Sequence, residues 1–316
     1  MTRHLTTATR ILAVTAAVTV LAACGGGGSG GDGDRTPTGR LKLSVTDAPV
    51  DHAEAVVVQF RAVEFKPMGG APVLQELRDA QNNLVPQQIN LLPLQDGRAA
   101  VLVNDVVLPA GQYEWIRLIV DNQPNVRDSY IMIDGNECEL RVPSGDESGL
   151  KMNRGFTLPA DGSLALTVDF DLRKSIHAPP GQKSDIPEMP CTQAYQMRPT
   201  LRLVQDSEVG AIAGTVDPAL LAAPDCARLV YVFADGANAA GSTVPDDQDA
   251  VEPNPVVMAK ADALTGRYRA SFLPAGAYTV AWTCGLDDVA ANDALVFSAA
   301  KGATVQANLA TTVNFP

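Results

Sequence analysis

Apolar and polar residues along this chain alternate in short runs and almost nowhere recur at helical spacing. Leu41, Leu43 and Val45 alternate with Lys42, Ser44 and Thr46, the two-residue period of a strand with one buried face. Asp47, Pro49 and Asp51 interrupt the pattern. The stretch "VVVQFRAVEF" (56–65) then supplies β-branched and aromatic residues that favour a pleated surface. Further strands are predicted for "INLLPL" (89–94), for "AAVLVNDVVL" (99–108) after a turn at Asp96-Gly97, and for "QYEWIRLIV" (112–120). In the last of these, Tyr113, Trp115 or Ile116, and Leu118 compete for the core side. "SYIMIDGNECELRV" (129–142) predicts a hairpin around Asp134-Gly135-Asn136, and "SLALTVDFDL" (163–172) and "YQMRPTLRLV" (195–204) add two more strands. One short helix is predicted near Leu74 to Asn82. After Asp206 a second series follows, in "GAIAGTV", "ARLVYVFA", "GRYRASF", "AYTVAWTC" and "ATVQANL". Strands at this spacing, separated by Gly, Pro and Asp turns, predict an all-β chain. Its body is predicted to be two β-sandwich domains, immunoglobulin-like in strand spacing, over 39–205 and 208–316.

The two series share a phrase: "LPAGQY" runs from Leu108 to Tyr113 and "LPAGAY" from Leu273 to Tyr278. Pro fixes one φ and Gly relaxes another, so the phrase predicts a tight hairpin turn. Gly111 and Gly276 are expected in conformations that side chains resist. The Tyr that follows starts a strand, with its ring buried and its hydroxyl near the rim. A shared structural turn is the plainer reading, and a repeated binding element is the other.

The N-terminus is of a different kind. Arg3 and Arg10 precede an apolar run from Ile11 to Ala23, shorter than a membrane span. It ends in Leu21-Ala22-Ala23-Cys24, which resembles the lipobox of bacterial lipoproteins. The resemblance implies a signal peptide over 1–23 and acylation of Cys24, with several chains giving a stable anchor. Gly25, rather than Asp, after that Cys implies outer-membrane sorting in a Gram-negative cell. "GGGGSGGDGDRTPTG" follows, and residues 24–38 are predicted to be a flexible tether.

Composition narrows the partners. The net charge is −12, and losing Arg3 and Arg10 with the leader makes the remainder more acidic. There is no basic stripe, which argues against nucleic acid as a partner, and membrane contact is expected through the lipid anchor alone. Of five cysteines, Cys24 is assigned to lipid. Four cysteines allow three pairings. Pairing within each domain gives Cys138–Cys191 and Cys226–Cys284, each worth about 4 kcal/mol for loops of this length. A zinc site is the rival. It is disfavoured by the lack of a Cys-x-x-Cys and by a body with only His52 and His177.

Catalytic motifs are sparse. Neither histidine lies beside a Gly-x-Ser-x-Gly elbow, and the body has no phosphate loop. Carboxylates are the one candidate set. Asp169 and Asp171 in "VDFDL" project from one face of a strand and are candidates for Ca²⁺ binding or an acid/base pair. Asp246, Asp247 and Asp249, with Glu252, cluster in "PDDQDAVEP", without the order of an EF-hand loop. Solvated edge and loop positions are the plainer reading of both sets. Trp115 and Trp282 read as core residues rather than sugar-stacking platforms. No catalytic residue and no cofactor are predicted, with Ca²⁺ the one candidate ion.

Two resemblances cover most of the body. "LKLSVTDAPVDHAEAVVVQF", "LPAGQYEWIRLIVD", "VPSGDESGLKM" and "RPTLRLV" occur in fixed order from Gly39 to Val204. They resemble the bacterial lipoprotein family called domain of unknown function 4382, which carries over no catalytic residues. From about Glu208, "TGRYRASFLPAGAYTVAW" resembles a transthyretin-like or carboxypeptidase-regulatory-like sandwich, usually an accessory or binding module. The function expected is that of a non-catalytic, lipid-anchored cell-envelope protein with a binding, adhesive or structural role and a protein or glycan ligand. The alternative is a carboxylate-based hydrolase, or a Ca²⁺-dependent carbohydrate-binding protein, acting on envelope or extracellular polymer.

Overall fold

The computed structural model describes residues 36–47, 53–121, 123, 126–143, 149–187, 189–234, 255–285 and 295–316. Cys24, His52, Asp246, Asp247, Asp249 and Glu252 lie outside the described residues, as does the segment 144–148.

The described chain is β throughout, apart from one helical turn and two 3₁₀ turns. Its first part forms β1 (Thr38–Asp47), β2 (Ala55–Pro67), β3 (Val73–Glu76), β4 (Gln87–Asn90), β5 (Ala100–Pro109), β6 (Gly111–Val120) and β7 (Tyr130–Ile133). It continues with β8 (Asn136–Arg141), β9 (Leu150–Met152), β10 (Phe156–Leu158), β11 (Ser163–Asp171), α1 (Leu172–Ser175), β12 (Ile176–His177), β13 (Tyr195–Met197) and β14 (Thr200–Gln205). Then come β15 (Val209–Thr215), β16 (Leu229–Ala234), β17 (Val257–Lys260), β18 (Arg267–Pro274), β19 (Gly276–Thr283), β20 (Lys301–Val305) and β21 (Ala310–Thr312).

Strands β1 to β14 build two sheets. One has the order β14-β11-β1-β5, with β1 parallel to β11. The other runs β10-β6-β2-β7-β8-β13-β12, with β3 and β4 added to β2 and β9 to β6. Leu41, Leu43 and Val45 of β1 and Leu166, Val168 and Phe170 of β11 meet Val56, Val58, Phe60, Ile116 and Leu118 in one core. A fully buried Phe such as Phe60 or Phe170 contributes roughly 2–3 kcal/mol. Strands β15 to β21 build a second pair of sheets, β18-β15-β21 and β17-β16-β19-β20. Ile212, Val230, Val232, Leu273, Tyr278 and Val280 fill the space between them. The other face of β16 presents Leu229, Tyr231 and Phe233, which pack with Met258, Leu295 and Phe297.

The alternation of apolar residues changes phase twice in the longest strands. In β2 the buried set is Val56, Val58 and Phe60, then Val63 and Phe65. The ladder slips between Phe60 and Ala62, so Arg61 is an extra residue that resets the period. In β6 the buried set is Tyr113, then Ile116 and Leu118. Here Pro67 faces Tyr113 and Lys66 faces Trp115, which leaves Glu114 as the extra residue. Each is a β-bulge, two residues opposite one. The contest between Trp115 and Ile116 is thereby decided for Ile116.

The repeated LPAG phrase is not a hairpin. It joins β5 to β6 and β18 to β19, and in each case the two strands belong to different sheets. The phrase is thus a corner over which the chain passes from one layer of a sandwich to the other. In both corners the Tyr hydroxyl donates to the Pro carbonyl four residues earlier: Tyr113 to Pro109 at 2.7 Å and Tyr278 to Pro274 at 2.7 Å. The two rings are buried in their respective cores, and Tyr113 stacks on Phe156 with centroids 4.7 Å apart. The glycines differ. Gly111 has φ +135°, a region side chains resist, whereas Gly276 is not among the positive-φ residues and has ordinary space for a Cβ.

The predicted hairpin forms between β7 and β8, with Ile133 paired to Asn136 and with Asp134 and Gly135 both at positive φ, as a type I′ turn requires. The helix predicted near Leu74 to Asn82 is absent. Val73–Glu76 pairs with β2 instead, and Asp79 accepts from the amides of Gln81 and Asn83 in a tight loop. Disulfides join Cys138 to Cys191 and Cys226 to Cys284, with Cα atoms 4.8 Å and 4.3 Å apart.

Candidate functional site

Alternation along β11 turns Leu166, Val168 and Phe170 into the core and leaves Thr167, Asp169 and Asp171 on the opposite face. Asp169 and Asp171 line a cleft of about 170 Å³ together with Lys174, Thr200 and Arg202. Its other wall is Pro255 to Met258, from the second set of strands. The cleft therefore lies between the two pairs of sheets.

Both carboxylates have partners inside it. Asp169 stands directly opposite Arg202 in the β11–β14 ladder, and its Oδ2 accepts from Arg202 Nη2 at 2.5 Å. Burial pushes the Asp169 carboxyl above the usual carboxylate range. Arg202 pulls it back, and the charge of Asp171 pushes it further up. Asp171 is the N-cap of α1: its Oδ1 accepts from the Lys174 amide at 3.4 Å, and Lys174 Nζ lies 3.7 Å from its Oδ2. The helical turn also carries Arg173, 2% exposed, into the second set of strands. There Arg173 Nη1 donates to Tyr231 Oη at 3.0 Å and meets Met258 Sδ at 2.8 Å. Arg173 thus joins the two sets of strands, and Asp171 fixes the turn that presents it.

Chemically, two neighbouring carboxyls held in unlike environments are the makings of an acid/base pair. Here the guanidinium of Arg202 sits on the buried acid and the far wall is mostly aliphatic. Phe170 is the one aromatic of the lining, and it is fully buried on the core side. Among the described residues no group of three or more His, Cys, Asp and Glu could hold a metal ion. His177 lies on β12 opposite Gln196.

The tryptophans part company. Trp282 packs partly against the second core. Trp115 does not join the first: the Glu114 bulge turns it to the outer face of the larger sheet, so its reading as a core residue is corrected. Lys151 Nζ lies 4.5 Å and Arg117 Cζ 5.8 Å from the indole centre. The sequence signal for this was the unresolved contest between Trp115 and Ile116, since two adjacent apolar residues cannot share one face of a strand.

A family model described as "Domain of unknown function (DUF4382)" matches residues 38–186. No curated protein matches the chain. Among solved structures, the Bacillus anthracis TIE protein is 12% identical, with 88% of this chain and 34% of that chain covered and a TM-score of 0.20. This chain thus spans about a third of that protein's length. The minor pilin GBS52 of Streptococcus agalactiae is 8% identical over 87% of this chain and 94% of that one, TM-score 0.20. The major pilin subunit BcpA of Bacillus cereus is 10% identical over 88% and 98%, TM-score 0.20. Superpositions this loose do not establish a shared fold.

Proposed function

We propose that the protein is a non-catalytic, lipid-anchored component of the bacterial cell envelope, held at the outer membrane by Cys24, whose β body has a binding, adhesive or structural role. The observation that carries the non-catalytic reading is the commitment of the two candidate carboxylates. Asp169 is spent on Arg202, and Asp171 caps the turn that docks Arg173 on Tyr231 and Met258. Asp169 thus ties β11 to β14 within one sheet, and Asp171 fixes the turn whose Arg173 joins the two sets of strands. The anchor rests on Leu21-Ala22-Ala23-Cys24 after an apolar run and on the glycine-rich tether behind it. The match of residues 38–186 to a family of unknown function brings no chemistry with it.

The anchor is tested by growing cells on radioactive palmitate. Wild-type protein should carry label and fractionate with the outer membrane, and Cys24→Ser should carry none. Label persisting on Cys24→Ser would refute the anchor. A second reading, a carboxylate-based hydrolase, draws on one observation: the raised Asp169 carboxyl beside Asp171 in a concave cleft. It predicts that Asp169 costs stability rather than supplying it.

A further inference from the structure

The outer face of the larger sheet in the first half carries an aromatic side chain, Trp115, that the core does not use. Because Glu114 bulges from β6, Tyr113 and Ile116 both point inward and Trp115 points outward. Bulges recur beside binding sites because they re-aim a side chain. The next outward position on β6 is Arg117, and directly across the ladder on β9 stands Lys151, flanked by the core residues Leu150 and Met152. The Lys151 ammonium lies 4.5 Å and the Arg117 guanidinium 5.8 Å from the indole centre. On β2, Lys66 faces Trp115 and Glu64 faces Arg117, whose Nη2 it holds at 2.5 Å. Two cations thus frame one indole on a chain whose net charge is −12. A surface acidic overall repels anions, so a local frame of this sign marks where an anion is accepted.

We propose that this face binds an acidic polysaccharide, stacking the C–H face of a pyranose ring on Trp115 and pairing a sugar carboxylate with Lys151. A flat apolar ring face and a charge-assisted hydrogen-bond donor are the two features such a ligand needs. Arg117 is already oriented by Glu64, while Lys151 is exposed and free to swing onto the ligand. An anionic bilayer fits less well. Trp115 is half-buried against the sheet instead of projecting into a bilayer interface. An acidic peptide would supply carboxylates without the flat C–H face. The inference rests on the binding role proposed above and not on the anchor, so the palmitate result and the glycan result stand or fall separately.

The test uses the full-length protein and polygalacturonate. The chain has two tryptophans, so in a Trp282→Phe background Trp115 is the sole indole emitter. Polygalacturonate should change that emission saturably, and the wild-type protein should be retarded in native gels cast with it. Lys151→Gln, at an exposed position, should weaken retardation about tenfold, and Trp115→Ala should abolish it. Neutral dextran should act more weakly than polygalacturonate. Unmoved emission, or Lys151→Gln retarded as strongly as wild type, would overturn the proposal. So would a larger response to phosphatidylglycerol vesicles or to polyglutamate than to polygalacturonate.

Discussion

Tyr113 and Tyr278 make the same hydrogen bond at the same step of the same phrase, to the carbonyl of the Pro four residues back. The bond closes a corner that must turn the chain through the depth of a sandwich without a ladder to hold it. Tyr113→Phe and Tyr278→Phe keep the ring and leave the Pro carbonyl without its donor. Each should lower unfolding stability by about 1 kcal/mol. Burial pushes both hydroxyls above their ordinary value of 10.0. Folded protein therefore holds these protons where unfolded chain releases them, and stability present below pH 10 declines as pH rises past it. In urea titrations between pH 8 and 11 the Phe variants should decline less steeply than wild type. A wild-type midpoint that climbs across that range would contradict the assignment. The phrase itself was plain in the sequence, but its geometry was not, because the same Pro and Gly suit a hairpin and a corner alike. Only the partner strands distinguish them. Gly111 and Gly276, identical in context, also differ in φ for tertiary reasons.

At the level of elements, a two-residue period locates strands well and locates their phase poorly. The β7–β8 hairpin was legible because Asp134-Gly135 admits few other conformations. The segment from Leu74 to Asn82 was misread because its Leu, Gln, Glu and Ala residues favour a helix in isolation. Pairing with β2 overrides that preference. The bulges at Arg61 and Glu114 had no signal beyond two apolar neighbours competing for one face, and it is the second bulge that decides where Trp115 points. Deleting Glu114 removes the extra residue and makes Tyr113 and Ile116 alternate residues of a regular strand, so both still face inward. The deletion should therefore leave stability, read from the urea midpoint, within about 1 kcal/mol of wild type. A fall of about 3 kcal/mol, that of exposing one large core side chain, would mean that the bulge is needed to keep both residues inside.

Over the whole molecule, two pairs of sheets meet across a polar seam. Asp169, Asp171 and Arg173 come from β11 and the helical turn that follows it directly, and Arg202 comes from β14. Pairing of Asp169 with Asp171 on one strand face was readable from their spacing. Their cationic partners were not, since Arg202 reaches Asp169 only through the β11–β14 register and Lys174 reaches Asp171 only through α1. The chemistry of the seam turns on which role these carboxylates have. Catalytic groups are commonly held at a cost to stability, so their removal tends to stabilise a protein. Groups that fasten structure destabilise it when removed. The decisive measurement is therefore the thermal and urea unfolding of Asp169→Asn at pH 7 against wild type. Loss of the charge on Arg202's partner should lower stability by about 1–3 kcal/mol, and an unchanged or raised midpoint would contradict the non-catalytic account.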